Sequence, residues 1–182
     1  MRRCVDILSS NATAKSFNHE NCIDSNTEII IVRTITPPDG VKNGYFYTAP
    51  HNKIYGYIDA ARGTNLKELK NSSPIAVEKI KNELKKARIA FLDVMDEVIR
   101  PNSYLDENIV EFTLEIKTFE GIFNKYINIK KVICNSRLAE SCYNKIINDL
   151  REKGLKLPQP IYCAQRGRGE NARKEYWVKN LK

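Results

Sequence analysis

Three short runs limit what this chain can fold into: "TEIIIVRT" at residues 27–34, "RIAFLDV" at 88–94 and "KKVICN" at 130–135. Each is apolar on consecutive positions and too short for a helical stripe. That pattern marks a strand buried on both faces, as in a parallel sheet. Helical segments separate and follow them. "NKIYGYIDAARG" reads as a short helix stopped by Gly63. In "SSPIAVEKIKNELKKA", Ser73 suits an N-cap and Pro74 the first helical position, with Ile75, Val77, Ile80 and Leu84 as the apolar face. "TFEGIFNKYI" is a further short helix, "SRLAESCYNKIINDLREKG" runs from Ser136 as cap to Gly154 as stop, and "NARKEYWVKNLK" closes the chain as a helix. "ITPPDGVKNG" reads as a loop, and "LPQPIYCAQ" as a broken fourth strand or an extended loop.

Strands alternating with helices predict an α/β fold, a parallel sheet with helices on both faces. Ligands of such sheets gather at the carboxyl ends of the strands. The informative loops therefore follow Arg33, Val94, Cys134 and the region of Leu157. With 182 residues, one domain over 21–182 is expected. Residues 1–20 are polar and weakly patterned and read as a loosely packed N-terminal arm.

Charge narrows the partner. Thirty Lys and Arg against 22 Asp and Glu give +8, which favours an anionic partner, nucleic acid first, or simply a lysine-solvated surface. The five cysteines (Cys4, Cys22, Cys134, Cys142, Cys163) are odd in number and none are spaced C-x-x-C. A disulfide framework or zinc site is not expected, and two histidines, His19 and His51, do not suggest a multi-histidine metal centre. The first ten residues do not read as a signal peptide, and no apolar run approaches the roughly 18 residues of a membrane span. The expected compartment is a reduced one, the cytoplasm, or the nucleus if the source is eukaryotic.

Two loops carry unusual chemistry. In "YFYTAPHN", Tyr45, Phe46 and Tyr47 offer faces to a planar base, Pro50 stiffens the turn, and the amide of Asn52 can orient a water or read a base edge. The same residues can equally seal a sheet edge and cap a helix. In "LPQPIYCAQRGRGENAR", Gln159 and Gln165 offer amides, and Arg166, Arg168 and Arg173 alternate with Gly167 and Gly169. That composition suits phosphate, or a solvated basic loop. Ser136, at a helix start, can hold a phosphate or act as a plain N-cap.

Taken in order, "TEIIIV", "TPP", "YFYTAPHNKIYGYI", "IAFLDV", "IKKVICNSRLAESCYNKI", "LPQP" and "NARKEYW" resemble the uracil-DNA glycosylase superfamily over about residues 22–182. The mismatch-specific and hypoxanthine branches are the nearest. "FYTAPHNKIY" is similar to that family's aromatic-x-x-x-P-x-N-x-aromatic-aromatic segment. The resemblance implies a three-layer α/β/α sandwich around a four-stranded parallel sheet. It also implies base flipping, and hydrolysis of the N-glycosidic bond through an oxocarbenium-like sugar without metal or cofactor. On the matched positions Asn52 is catalytic and Tyr47 stacks on the flipped base, with Phe46, His51 and Pro37 around it. Ser136, Arg137 and Lys53 meet the DNA backbone together with Arg166, Arg168 and Arg173, and Gln159 stands in the minor-groove loop.

The chain departs from the family at three places. Thr36 in "TITP" replaces the water-holding Asn or Asp of the first motif, with Asp39 as a nearby substitute. Arg33 replaces the strand's closing glycine, and Leu157-Pro158-Gln159 lacks a histidine to stabilise the departing base. The expected activity is a monofunctional DNA glycosylase acting on a deaminated base or on a bulkier modified base such as phages carry, the latter an antiviral role. The alternatives are a DNA-binding or protein-interaction module that kept the scaffold without the chemistry, and a hydrolase of free nucleosides.

Overall fold

The computed structural model describes residues 12–100, 106–164 and 169–182. In chain order the elements are β1 (Ala12–Lys15), β2 (Ile29–Arg33), α1 (Pro38–Lys42), α2 (Ile54–Arg62), α3 (Leu66–Lys70), α4 (Val77–Ala87), β3 (Ile89–Asp93) and β4 (Met95–Arg100). They continue with β5 (Glu111–Leu114), α5 (Ile116–Lys125), β6 (Lys131–Cys134), α6 (Arg137–Glu152), β7 (Pro160–Tyr162) and α7 (Glu170–Leu181). A four-stranded parallel sheet in the order β3-β2-β6-β7 forms the centre. The three apolar runs are its first three strands.

Alternation along β2 sorts the layers. Ile29 and Ile31 enter one core with Ile54, Tyr55 and Ile58 of α2, Ile80 and Leu84 of α4, and Trp177 and Leu181 of α7. Ile30 and Val32 enter the other with Phe119 of α5 and Ala139, Cys142, Tyr143 and Ile146 of α6. The result is the expected three-layer sandwich. Ser136 accepts the Ala139 amide and starts α6, and Gly63 (φ 69°) ends α2 in the left-handed region that a side chain disfavours.

Several elements differ from the sequence reading. The loop "ITPPDGVKNG" contains α1, whose Gly40 sits so close to Thr36 that an added Cβ would lie 2.7 Å from Thr36 Cγ2. Helix α4 starts at Val77, because the Ser72 hydroxyl, not Ser73, accepts the Ala76 amide and holds the chain outside the helix. The fourth strand is only Pro160–Tyr162, so Gln159 precedes it and lies at the amino edge of the sheet, opposite the expected site.

The larger correction concerns the N-terminal arm. Residues 12–20 belong to the fold. β1 pairs antiparallel with β4, and β4 with β5, in a second, three-stranded sheet. Phe17 and Asn18 are buried. The Asn18 side chain closes two hydrogen bonds with the backbone of Asp93, its Nδ2 donating to the carbonyl (3.0 Å) and its Oδ1 accepting the amide (2.7 Å). A polar, weakly patterned segment is ordered here by hydrogen bonds and by a single aromatic ring, not by an apolar stripe.

Asn18→Ala strands both of those backbone groups in a buried place. The expected loss is about 2 kcal/mol of unfolding free energy, read from urea denaturation. An unchanged midpoint would show that this arm stands outside the cooperative unit.

Candidate functional site

At the carboxyl ends of the parallel strands, polar side chains converge on one fully buried carboxylate. Asp93 closes β3 with no solvent exposure. Its Oδ2 accepts the Phe17 amide (3.0 Å), and its Oδ1 accepts the Thr36 hydroxyl (3.0 Å). Arg33, the last residue of β2, brings its Nε to 3.9 Å from the same Oδ1. Burial raises the Asp93 carboxyl above its ordinary value, and the Arg33 charge followed by the bonds from Phe17 and Thr36 partly offset this. Thr34, one residue past the strand, donates to Asp106 (2.7 Å).

Tyr47 completes the cluster. It adopts φ 56°, a left-handed conformation that costs a bulky residue about 1 kcal/mol or more. Its ring lies against Phe91 (4.8 Å), the Arg33 guanidinium covers it at 4.9 Å, and its hydroxyl accepts the Asn135 side-chain amide (3.0 Å). Burial pushes the phenol well above the ordinary tyrosine range. Three strand ends, β2, β3 and β6, thus meet through Arg33, Asp93, Asn135 and one loop tyrosine. Arg33 is the member that reaches solvent, with 15% of its side chain exposed.

The expected residues divide among three places. Thr36 and Tyr47 belong to the buried cluster, and Pro37 caps α1 beside it. Asp39 is exposed in the first turn of α1 and does not join the Thr36–Asp93 pair. Phe46 is core, not a pocket wall. It is fully buried, its ring packs on Phe17, Tyr45 and Phe91, and its carbonyl accepts the Tyr55 hydroxyl (2.6 Å).

Asn52 lies elsewhere. Its Oδ1 accepts the Ile54 amide (3.0 Å) at the start of α2. With His51 and Lys53 it lines a cleft of about 500 Å³ whose other charged residues are Asp59, Lys67, Lys70, Glu170 and Lys174. Tyr47 does not line this cleft. Lysines outnumber acids there, although Lys53 pairs with Glu170 (2.6 Å). Lys70 holds the loop, donating to the carbonyls of Ala49 (3.3 Å), Pro50 (3.0 Å) and Asn52 (2.9 Å). Desolvation, with the Lys67 charge behind it, lowers its ammonium below the ordinary lysine value.

The third place is a cavity of about 440 Å³ at the end of β7, lined among others by Arg137, Arg173, Tyr162 and Trp177. Ser136 serves as the cap of α6 beside it. Gln159 is exposed at the far edge of the sheet, and Arg166 and Arg168 lie outside the described residues. Arg33 was expected to narrow or charge the pocket floor in place of a glycine, whereas Asp93, Asn135 and Lys70 as site residues were not foreseen. An acid closing an otherwise apolar run in "IAFLDV" was the available signal.

No family model matches the chain, and no curated protein sequence does. Among solved structures, the chain is similar to a protein of Methanosarcina acetivorans, determined in solution by NMR, for which uracil DNA glycosylase is a proposed assignment. The TM-score is 0.70 at 23% identity, over 93% of this chain and 97% of that one. The likeness shows a shared fold.

Asp93 gives this site a signature in stability. The folded state holds the Asp93 proton more tightly than the unfolded chain, where the ordinary value near 3.8 applies. Its contribution is therefore full below that value and is lost as pH rises through the raised one. The stability of the wild type relative to Asp93→Asn should fall with pH across that window. Chemical denaturation at several pH values measures it, and a flat difference would mean the carboxyl is not raised.

Proposed function

We propose that the protein is a DNA glycosylase that hydrolyses the N-glycosidic bond of a flipped, altered base. The observation that carries this reading is the Asp93–Thr36–Arg33–Tyr47 cluster, set at the carboxyl edge of a sheet whose fold is shared with the Methanosarcina acetivorans protein. The +8 charge supports DNA as the partner.

In this proposal each group has a role. The incoming base displaces the Arg33 guanidinium from the Tyr47 ring and stacks there. Water attacks the anomeric carbon. Its proton passes to the Thr36 oxygen as the Thr36 proton passes to Asp93, so that the carboxylate ends protonated. A carboxylate raised by burial is a stronger base than an exposed one, which suits this step. The bond to the base breaks with its electron pair going to the base. The displaced Arg33 donates to a carbonyl oxygen of that departing anion, the task for which Leu157-Pro158-Gln159 offers no histidine. Asn52 belongs with the lysine cleft, where it shapes the loop against the DNA backbone.

A second reading, DNA binding without chemistry, has two specific observations in its favour. In the conformation described, Arg33 covers the ring on which a base would stack, and Asn52 opens onto a different cavity.

Labelled oligonucleotides carrying uracil, hypoxanthine or modified cytosine, treated with alkali after incubation, separate the two. Alkali-labile breaks are expected. Asp93→Asn should cut the rate by about 10²-fold or more, the scale of a lost general base, and Thr36→Val by roughly tenfold, about 1.4 kcal/mol. Asn52→Ala should leave the rate largely intact. Salt-sensitive binding without breaks would establish the second reading, and breaks abolished only by Asn52→Ala would move the chemistry to the lysine cleft.

A further inference from the structure

The cavity at the end of β7 does not belong to the buried cluster, and its lining has its own logic. Besides Arg137, Arg173, Tyr162 and Trp177 it has Tyr176, Ala164 and an apolar floor from Pro160 and Ile161. No acid lines it among the described residues. The Arg137 guanidinium stacks on the Tyr162 ring at 3.8 Å, and Glu140 holds its Nη1 at 2.7 Å, so the group is presented in a fixed plane. Trp177 lies fully buried behind the lining, its indole donating to the Ala164 carbonyl (3.1 Å) and stacking on Tyr57 (6.0 Å), so the aromatic surface open to the cavity is that of Tyr162 and Tyr176.

Planar aromatic surface beside two arginines is the chemistry that holds a base and its phosphate together. About 440 Å³ is within the usual range for a small-molecule site. The cavity lies on the same sheet edge as Tyr47. Tyr162 is in register with Cys134, Asn135 follows Cys134 and bonds Tyr47, and Arg137 is two residues further on.

We infer that this cavity takes a second, unpaired nucleotide of the DNA strand, next to the one presented at Tyr47. A base inside a duplex has both faces covered by its neighbours, so an aromatic wall selects a nucleotide that has left the stack. The inference rests on the DNA reading above and adds the form of the substrate: a single strand, or a duplex frayed at the target.

Trp177, the chain's one tryptophan, serves as the reporter, because its buried indole lies directly behind the cavity lining. The intact protein is titrated with oligothymidylate, a duplex of equal length, thymidine 5′-monophosphate and inorganic phosphate while tryptophan emission is followed. Oligothymidylate should change the emission and bind more tightly than the duplex. Thymidine monophosphate should compete weakly, and more strongly than phosphate. Arg137→Ala removes a side chain that is 72% exposed, so the fold should survive, as its melting curve would show. It should weaken oligothymidylate by about tenfold, the lower end of one stacked or phosphate-paired contact, and Arg137→Lys should recover only part of this because an ammonium does not stack. Equal affinity for duplex and single strand, or no effect of Arg137→Ala, overturns the inference. Base excision with no response at Trp177 sinks this site and leaves the glycosylase reading standing. A response at Trp177 without excision does the reverse.

Discussion

The buried carboxylate of Asp93 is the constraint on which the carboxyl edge of the central sheet turns. A charge without solvent is costly unless hydrogen bonds and an opposite charge meet it. Here the amide of Phe17, the hydroxyl of Thr36 and the guanidinium of Arg33 supply them, each from a different segment. The Asn18 side chain adds two bonds to the Asp93 backbone. The same residue that carries the proposed chemistry therefore fastens the N-terminal segment to β3 and the loop after β2 to the sheet. Removing any one donor leaves the carboxylate in the same dry place with less to hold it. That coupling explains why an arm with no apolar pattern is nonetheless fixed.

The loop from Asn43 to Lys53 is held from both sides in a comparable way. Tyr47 and its neighbours fix one end: Phe91 packs beneath the ring, and Asn135 holds the hydroxyl. Lys70 fixes the other through three backbone carbonyls. The Ala49 carbonyl also accepts the Asn52 amide in a turn (3.0 Å), and a buried ammonium with three donors binds it together with the carbonyls of Pro50 and Asn52. The left-handed Tyr47 reverses the chain between the two anchors. Tyr47 and Asn52 are five residues apart in the chain, yet Tyr47 lies in the buried cluster and Asn52 lines the lysine cleft.

That separation marks where sequence reasoning reached its limit. The parallel strands were legible because four consecutive buried positions of β2, Ile29 to Val32, leave a period of one, which only a doubly covered strand tolerates. Ser136 and Gly154 bracketed α6 by capping chemistry that is local and therefore readable. β4 was not legible: it follows β3 after Val94 alone, and the two adjacent exposed residues Asp96 and Glu97, at an irregularity between Met95 and Val98, break the alternation that marks a half-covered antiparallel strand. Its partner β1 has too few apolar residues to announce itself. Asp93 was read as the tail of a strand: an acid closing the apolar run "IAFLDV" is a signal, but it does not by itself say that the side chain points inward. Asn52 fitted a family spacing, but a motif fixes order along the chain and not the direction of a side chain after a positive-φ residue.

Arg33 connects these points to function. Standing where a glycine would leave room, it fills the space over Tyr47 and neutralises Asp93 in one move. A desolvated guanidinium over an aromatic ring contributes up to about 2 kcal/mol, and a base that takes its place must recover that amount. If binding required nothing else, an opening cost of about 2 kcal/mol would lower apparent affinity roughly 30-fold. A ligand with an acceptor for the displaced guanidinium recovers part of the cost, and a purely apolar ring recovers none. Under the proposed function the arginine would act as a filter: it would favour bases with a carbonyl oxygen facing the sheet edge, and it keeps the buried carboxylate partnered in the closed form.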